Sequence, residues 1–169
     1  MVGGQSLGFT PESGVLDIAV DAEGIAHVTG TLDLPGEPHT VHAILTDYAQ
    51  WPSLFSKGMS VLTVRHEPDG VITDLSLPRY LLPGTLRLVI LTQTPTLGQI
   101  EARLIDGDFD HFRRLWEFVP LHEGRATRAR LQMDIRPKGW LPRWLLAYAL
   151  RRELQEHFQR LRAAVEARR

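Results

Sequence analysis

An α+β fold, in which a curved antiparallel sheet wraps around a long C-terminal helix, is predicted by three observations. Residues 60–136 contain short apolar runs whose separation is too small for the crossovers that parallel strands require. Within them, Phe112, Trp116 and Phe118 fall on one face of a single predicted strand. Residues 141–167 then show the apolar periodicity of an amphipathic helix. A sheet and a helix that bury these faces against each other can enclose an apolar ligand.

The predicted elements follow one another without an internal repeat. Strands at 15–20 and 25–34 are joined by a turn, and a short helix beginning at Pro38 follows them. A second short helical turn is predicted at 51–55. Turn residues then separate six predicted strands, which span 61–66, 70–77, 85–93, 98–105, 111–121 and 127–136.

The C-terminal helix is predicted to turn one apolar stripe toward the sheet. The stripe is predicted to begin with Leu141, Trp144, Leu145 and Tyr148. With some rotational drift it continues through Leu154, Phe158, Leu161 and Val165. The helix is long enough, at about 1.5 Å per residue, to cross the whole sheet.

Composition is that of one globular domain. Of the 169 residues, 43% are hydrophobic and 23% are charged. We expect residues 1–14 to form a flexible arm that is not a signal peptide, and residues 15–169 to form one domain. The chain has no cysteine, which excludes disulfides, thiolate metal sites and a cysteine nucleophile, and suits a cytoplasmic location.

Charge is distributed unevenly along the chain. Residues 136–169 carry nine basic and three acidic side chains, whereas residues 1–135 carry ten basic and 17 acidic ones. A basic C-terminal helix is typical of a solvated helix face, and it also suits contact with an anionic membrane or with RNA. Leu81 and Leu82, in a loop bracketed by prolines, add an apolar candidate for peripheral contact with the inner face of a membrane.

Three local motifs together resemble a known superfamily. Residues 45–48 (Leu-Thr-Asp-Tyr) precede Trp51-Pro52, and Gly-Asp-Phe at 107–109 precedes Trp-Glu-Phe at 116–118. A helix of the Leu-Pro-x-Trp-Leu type follows, beginning at Leu141. In this order they resemble the START-like/Bet v 1-like (SRPBCC) superfamily, and within it the polyketide cyclase and coenzyme Q-binding (COQ10-like) branch. The resemblance implies the helix-grip fold, with two short helices after an early strand.

The resemblance also implies a cavity for a hydrophobic molecule such as a lipid, an isoprenoid quinone or a polyketide. The predicted lining consists of Trp51, Phe55, Leu77, Tyr80, Phe112, Trp116 and Tyr148, with Arg114 as its polar anchor. Strict alternation turns Arg114 inward, where a buried cation needs a partner. Asp74 and Glu101, on neighbouring strands, are candidates for that partner.

Two other functions remain open from the sequence. One is a polyketide cyclase/aromatase in which Arg114 or Tyr80 polarises a carbonyl, although no set of catalytic residues is predicted. The other is a ribosome/RNA- or protein-interaction module of the COQ10-like toxin type, whose contact with RNA is disfavoured by a lack of lysine-rich loops. No cofactor is expected. No metal site is expected either, because two histidines, His39 and His42, do not make one and no cluster of histidine and acidic residues beside them supplies a third ligand.

Overall fold

The computed structural model describes residues 14–169, so most of the predicted N-terminal arm lies outside the described residues. The strands are β1 (Val15–Val20), β2 (Ala26–Leu34), β3 (Ser60–Glu67), β4 (Gly70–Pro78), β5 (Thr85–Thr96), β6 (Gln99–Gly107), β7 (Phe109–Leu121) and β8 (Ala126–Pro137). The α-helices are α1 (Pro38–Leu45), α2 (Trp51–Leu54) and α3 (Arg143–Glu166). Short 3₁₀ turns at Tyr48–Gln50 and His122–Gly124 connect some of these elements.

All eight strands form one antiparallel sheet in the order β1-β2-β8-β7-β6-β5-β4-β3. Hairpins join β3 through β8 in succession, as the close spacing of the turn residues predicts. The chain departs from this pattern once, where α1 and α2 carry it from β2 to the far edge at β3. The predicted α+β helix-grip fold is confirmed.

Strands β7 and β8 show why the inner face of the sheet is apolar. Side chains that alternate along β7 are buried, namely Phe112, Arg114, Trp116 and Phe118. The register shift between Phe109 and His111 comes before them and does not change their common face. On β8, Ala129, Leu131, Met133 and Ile135 are buried as their alternation predicts, and Thr127 before them is buried as well.

Helix α3 buries a different stripe in its first turns from the one predicted. Trp144 is 70% exposed and Tyr148 is 54% exposed, whereas Leu146 and Leu150 are buried. The buried side chains form one continuous stripe at helical spacing, which consists of Leu146, Ala149, Leu150, Leu154, His157, Phe158, Leu161 and Val165. This stripe keeps the 3.6-residue period along the whole helix, so it does not drift around the helix. Trp144 and Tyr148, on which the prediction of a drifting stripe was based, lie outside it.

Helix α3 packs against the β1–β2 side of the sheet and against both short helices. The approach is close enough to require glycine, since a Cβ at Gly30 would lie 2.8 Å from Cζ of Phe158. A Cβ at Gly36 would lie 2.5 Å from Cγ1 of Val165. The helix therefore sits tightly over one half of the inner face and leaves space over the other half.

Candidate ligand-binding site

A cavity lies between α2 and α3 on one side and strands β4, β5, β7 and β8 on the other. Its volume is about 90 Å³. Most of its lining is apolar, contributed by Trp51, Phe55, Met59, Leu75, Leu77, Pro78, Leu88, Ile90, Phe112, Trp116, Leu131, Met133, Ile135, Leu150 and Leu154. The polar lining residues are Ser56, Tyr80, Arg114, Glu153 and His157.

The structure brings most of the predicted site residues to this cavity. Its lining includes Trp51, Phe55, Leu77, Tyr80, Phe112, Arg114 and Trp116. Tyr148 is the exception, because it lies on the exposed side of α3 and is absent from the lining. Its predicted place on the inner face of the helix is occupied by Ala149 and Leu150.

Arg114 lies on the inner face of β7 and is only 9% exposed. Its guanidinium carbon lies 5.0 Å from the ring centre of Phe55, 5.4 Å from that of Trp51 and 5.9 Å from that of Phe112. Such distances allow the ring faces to stabilise a positive charge. Burial lowers the pKa of Arg114 to about 10, so the side chain is still a cation at neutral pH.

Neither carboxylate proposed as a partner for Arg114 faces it. Asp74 instead accepts two hydrogen bonds from Arg87, at 2.8 and 3.0 Å. Asp74 precedes the buried Leu75 on β4 and therefore points to the opposite face of the sheet. Glu101 lies between the inward-facing Ile100 and Ala102 and is displaced from the inner face for the same reason.

His157 is a site residue that sequence reasoning missed. Its Nδ1 donates a hydrogen bond of 2.8 Å to the carbonyl oxygen of Leu54, and its ring stacks on Phe55 with centroids 4.0 Å apart. Burial lowers the pKa of His157 to about 3, and the charge of Arg114 acts in the same direction. The ring is therefore neutral, with Nε2 as a free acceptor that contacts no described donor.

Glu153 is a second missed residue and faces the cavity one helical turn before His157. Burial, with a smaller contribution from the nearby carboxylate of Glu156, raises the pKa of Glu153 to about 7. The sequence signal for both is their helical spacing from buried leucines, since Glu153 lies three residues after Leu150 and His157 three residues after Leu154. The carboxyl group can exchange a proton near neutral pH.

Two cavity tryptophans differ in how their indole N–H groups are used. Trp51 Nε1 donates to the carbonyl oxygen of Leu45 at 3.1 Å. Trp116 Nε1 is buried and has no acceptor among residues 14–169. Together with Nε of Arg114 and Nε2 of His157, it leaves the cavity wall with unpaired polar atoms. Buried polar groups are usually paired, so each of these atoms is a candidate contact for a ligand.

Within the part of the chain that the structure describes, no three histidine or acidic side chains converge as a metal-ion site would require. In the same residues, no helix is both long enough and apolar enough to cross a membrane.

Comparisons with known proteins agree with the architecture. The family described as "Polyketide cyclase / dehydrase and lipid transport" matches residues 34–162. A START superfamily protein from Mycobacterium smegmatis superposes with a TM-score of 0.67 at 20% identity, over 85% of this chain and 99% of that one. An aromatase/cyclase from Streptomyces superposes with a TM-score of 0.69 at 13% identity, over 85% and 95%. At these identities the structural matches show the shared fold alone.

A comparison with curated protein sequences gives no match. The START/Bet v 1-like assignment is confirmed by the family match and the structural matches, which include aromatase/cyclases. The finer COQ10-like placement stays a prediction.

Proposed function

Because the chain belongs to the polyketide cyclase/dehydrase and lipid transport family, we propose that it binds a hydrophobic small molecule in the cavity beneath α3. A lipid, an isoprenoid quinone and a polyketide all fit this description. The observation that carries the proposal is the apolar cavity itself, which is lined from both the helices and the sheet. A few polar groups among many apolar ones are typical of sites that bind and orient such ligands.

The size of the cavity limits how a ligand enters it. Its volume of about 90 Å³ is less than the ~150 Å³ of an apolar cavity that accepts benzene. A lipid or polyketide therefore inserts one end and displaces half-buried side chains as it enters. The half-buried lining residues are Phe55, Ser56, Met59, Leu77, Pro78 and Glu153. We expect these side chains, and not those on β8, to rearrange on binding.

Native mass spectrometry of freshly purified protein, followed by denaturing extraction, tests the proposal. We expect a bound hydrophobic molecule at up to one equivalent, and less of it in Leu77→Trp, whose larger ring fills the cavity. Ser76→Trp is the matched control, because Ser76 is the neighbouring residue and faces the other side of β4. Equal ligand content in the two variants, or no uptake of added hydrophobic ligands by the wild-type protein, would contradict the proposal.

We further propose that cargo exchange occurs at a membrane surface. Leu81 and Leu82 are 52% and 38% exposed, and Trp140, before α3, is 85% exposed. Leu82 and Trp140 share a shallow groove with Tyr80, which also lines the cavity. Exposed aromatic and leucine side chains are typical of surfaces that insert into the headgroup region.

Basic residues beside this surface supply the attraction to anionic lipid. Arg79 and Lys138 line the same groove as Trp140. Farther along α3 the positive charge is partly neutralised, because Arg152 and Arg160 both pair with Glu156. The groove is therefore a better candidate for membrane contact than the basic helix as a whole.

Flotation with vesicles of phosphatidylcholine and phosphatidylserine tests membrane contact. We expect the wild-type protein to float at low salt, and the double variant Leu81→Asp/Leu82→Asp to remain at the bottom. Leu97→Asp is a control, since Leu97 is 70% exposed in a turn between β5 and β6. Failure of the wild-type protein to float at low salt would rule out this surface, without affecting the proposed cavity.

A cyclase/aromatase is the second candidate function, and the proton-exchanging Glu153 favours it. Arg114 would polarise a ketone oxygen, while the carboxylate of Glu153 would take a proton from the adjacent carbon. A carboxyl group whose pKa lies near 7 is suited to both accepting and returning a proton.

We expect the wild-type protein to convert a poly-β-keto thioester analogue to a cyclised, dehydrated product detected by mass spectrometry. Glu153→Gln should bind the analogue and leave it unchanged; equal conversion by this variant would contradict the role.

A further inference from the structure

We infer that the ligand of this cavity is an apolar carboxylic acid, whose carboxylate pairs with Arg114. The inference rests on the proposed function, because it specifies the chemical class of a molecule bound at the same site. It separates acids from neutral candidates such as quinones and esters, which the apolar lining alone accepts equally well.

The first step is the state of the Arg114 side chain. Among residues 14–169, no carboxylate forms an ion pair with its guanidinium, and no acceptor is placed to receive its Nε–H. The rings of Trp51, Phe55 and Phe112 surround it at centroid distances of 5.0–5.9 Å. Their faces stabilise the positive charge, but they do not replace the strong hydrogen bonds that a buried guanidinium forms with an anion.

The second step concerns the ionisable groups around Arg114, none of which forms an ion pair with it. Tyr48 interacts with the Arg114 charge, but burial raises the pKa of its phenol, which stays neutral. His157 is neutral as well. Glu153 is the acidic residue of the lining, yet it forms no ion pair with Arg114, and Arg114 does not lower its pKa. The buried cation therefore has no counter-ion within the described protein.

The third step is the match between the empty space and a carboxylate. A guanidinium presents parallel N–H groups that a carboxylate accepts in a bidentate pair, whereas a quinone or ester oxygen leaves the charge uncompensated. Trp116 is two residues away on the same face and adds an unpaired N–H donor. The volume of about 90 Å³ holds roughly three water-sized volumes, enough for a carboxylate and the first carbons of its chain.

Calorimetric titration with matched pairs of ligands at about pH 7.5, where free carboxylic acids are ionised, tests the inference. The pairs are decanoic acid with methyl decanoate, and naphthoic acid with methyl naphthoate. We expect each acid to bind the wild-type protein at least about tenfold more tightly than its ester, a difference typical of one charge-assisted contact. Arg114→Met should lose this preference while still binding the esters.

Arg113→Met is the matched control, because Arg113 is the neighbouring residue and lies exposed on the other face of β7. It removes the same charge and should keep the preference for the acid. Thermal unfolding of each variant verifies that it is folded. If Arg114→Met does not fold, Arg114→Gln replaces it in the titration. The acid–ester comparison on the wild-type protein requires no variant.

The outcomes separate the inference from the proposed function. Equal binding of acid and ester to the wild-type protein overturns the acid assignment and leaves hydrophobic ligand binding intact. An acid preference that persists in Arg114→Met, or that disappears in Arg113→Met, overturns the role of Arg114. If neither member of either pair binds, the proposed function fails and the inference fails with it.

Discussion

The two halves of the inner sheet face differ in what covers them. Over β1 and β2, helix α3 lies so close that Gly30 and Gly36 leave no room for a side chain. Over β4, β5 and β7, the inward side chains border a cavity of about 90 Å³ and several unpaired polar atoms. We call these the covered half and the cavity half. One helix is too narrow to cover an eight-stranded curved sheet, so tight packing on one half leaves space on the other.

This difference separates stability from binding within one domain. In the covered half, close packing provides the dispersion and burial that hold the helix to the sheet. In the cavity half, empty space and unpaired donors decrease the stability of the ligand-free protein and become favourable when a ligand fills them. A mutation should therefore change stability most in the covered half, and binding most in the cavity half.

The largest effect is expected for Phe158→Ala in the covered half. Phe158 is 2% exposed. Its ring lies against the backbone of Gly30, and its centroid is 6.2 Å from that of Trp116. Removing its ring should lower the free energy of unfolding by about 3–5 kcal/mol, measured by urea denaturation. Leu77→Ala in the cavity half should lower it by less than about 2 kcal/mol, because Leu77 is half-buried and already borders empty space. Equal losses would mean that the two halves are packed alike.

A smaller effect is expected from the ionisation of Glu153. Burial raises its pKa in the folded protein from 4.5 to about 7, so the folded state retains a proton that the unfolded state loses. Stability from this group is complete below about pH 4.5 and is lost as the pH rises through 7. Allowing for its partial exposure, the loss is about 1–3 kcal/mol.

Denaturation of the wild-type protein and Glu153→Gln across this pH range isolates the contribution of Glu153. The contribution of His157, whose lowered pKa acts in the opposite direction below pH 6.5, is common to both proteins and cancels in the difference. We expect the stability of the wild-type protein relative to the variant to fall as the pH rises from 4.5 to 8. A constant difference would mean that Glu153 is solvated and not part of the cavity wall.

The sequence predicts the inward-facing side chains of the strands better than those of α3, because strand faces depend on shorter stretches of sequence. The strands and their inward faces depend on local alternation, so the orientation of Phe112, Arg114 and Trp116 was predictable. The inner face of α3 depends on one phase for the whole helix, and the weight given to Trp144 and Tyr148 shifted that phase in the first turns. Farther along, Leu154 and Phe158 were placed correctly, but Glu153 and His157 beside them were missed because the stripe was traced through apolar residues alone.

The missing partner of Arg114 was beyond sequence reasoning for a different reason. The expectation that a buried cation is paired led to Asp74 and Glu101, which both face the other way. Glu101 is on the strand next to Arg114, whereas Asp74 on β4 is separated from β7 by β5 and β6. Cross-strand proximity does not distinguish the two faces unless the register is known. The register shows a cation enclosed by aromatic rings, an arrangement that no pattern of charges in the sequence indicates.

The smallest effect is expected for Tyr148→Ser, which tests where the cavity half ends. Tyr148 is 54% exposed on α3, and its replacement should change the free energy of unfolding by less than about 0.5 kcal/mol, measured by urea denaturation. Binding of decanoic acid should be unchanged, because Tyr148 does not line the cavity. Leu150→Ser, two residues along the same helix and on its buried face, is the matched comparison and should impair both stability and binding. A loss of binding in Tyr148→Ser would instead show that the ligand extends out of the cavity and contacts the exposed side of α3.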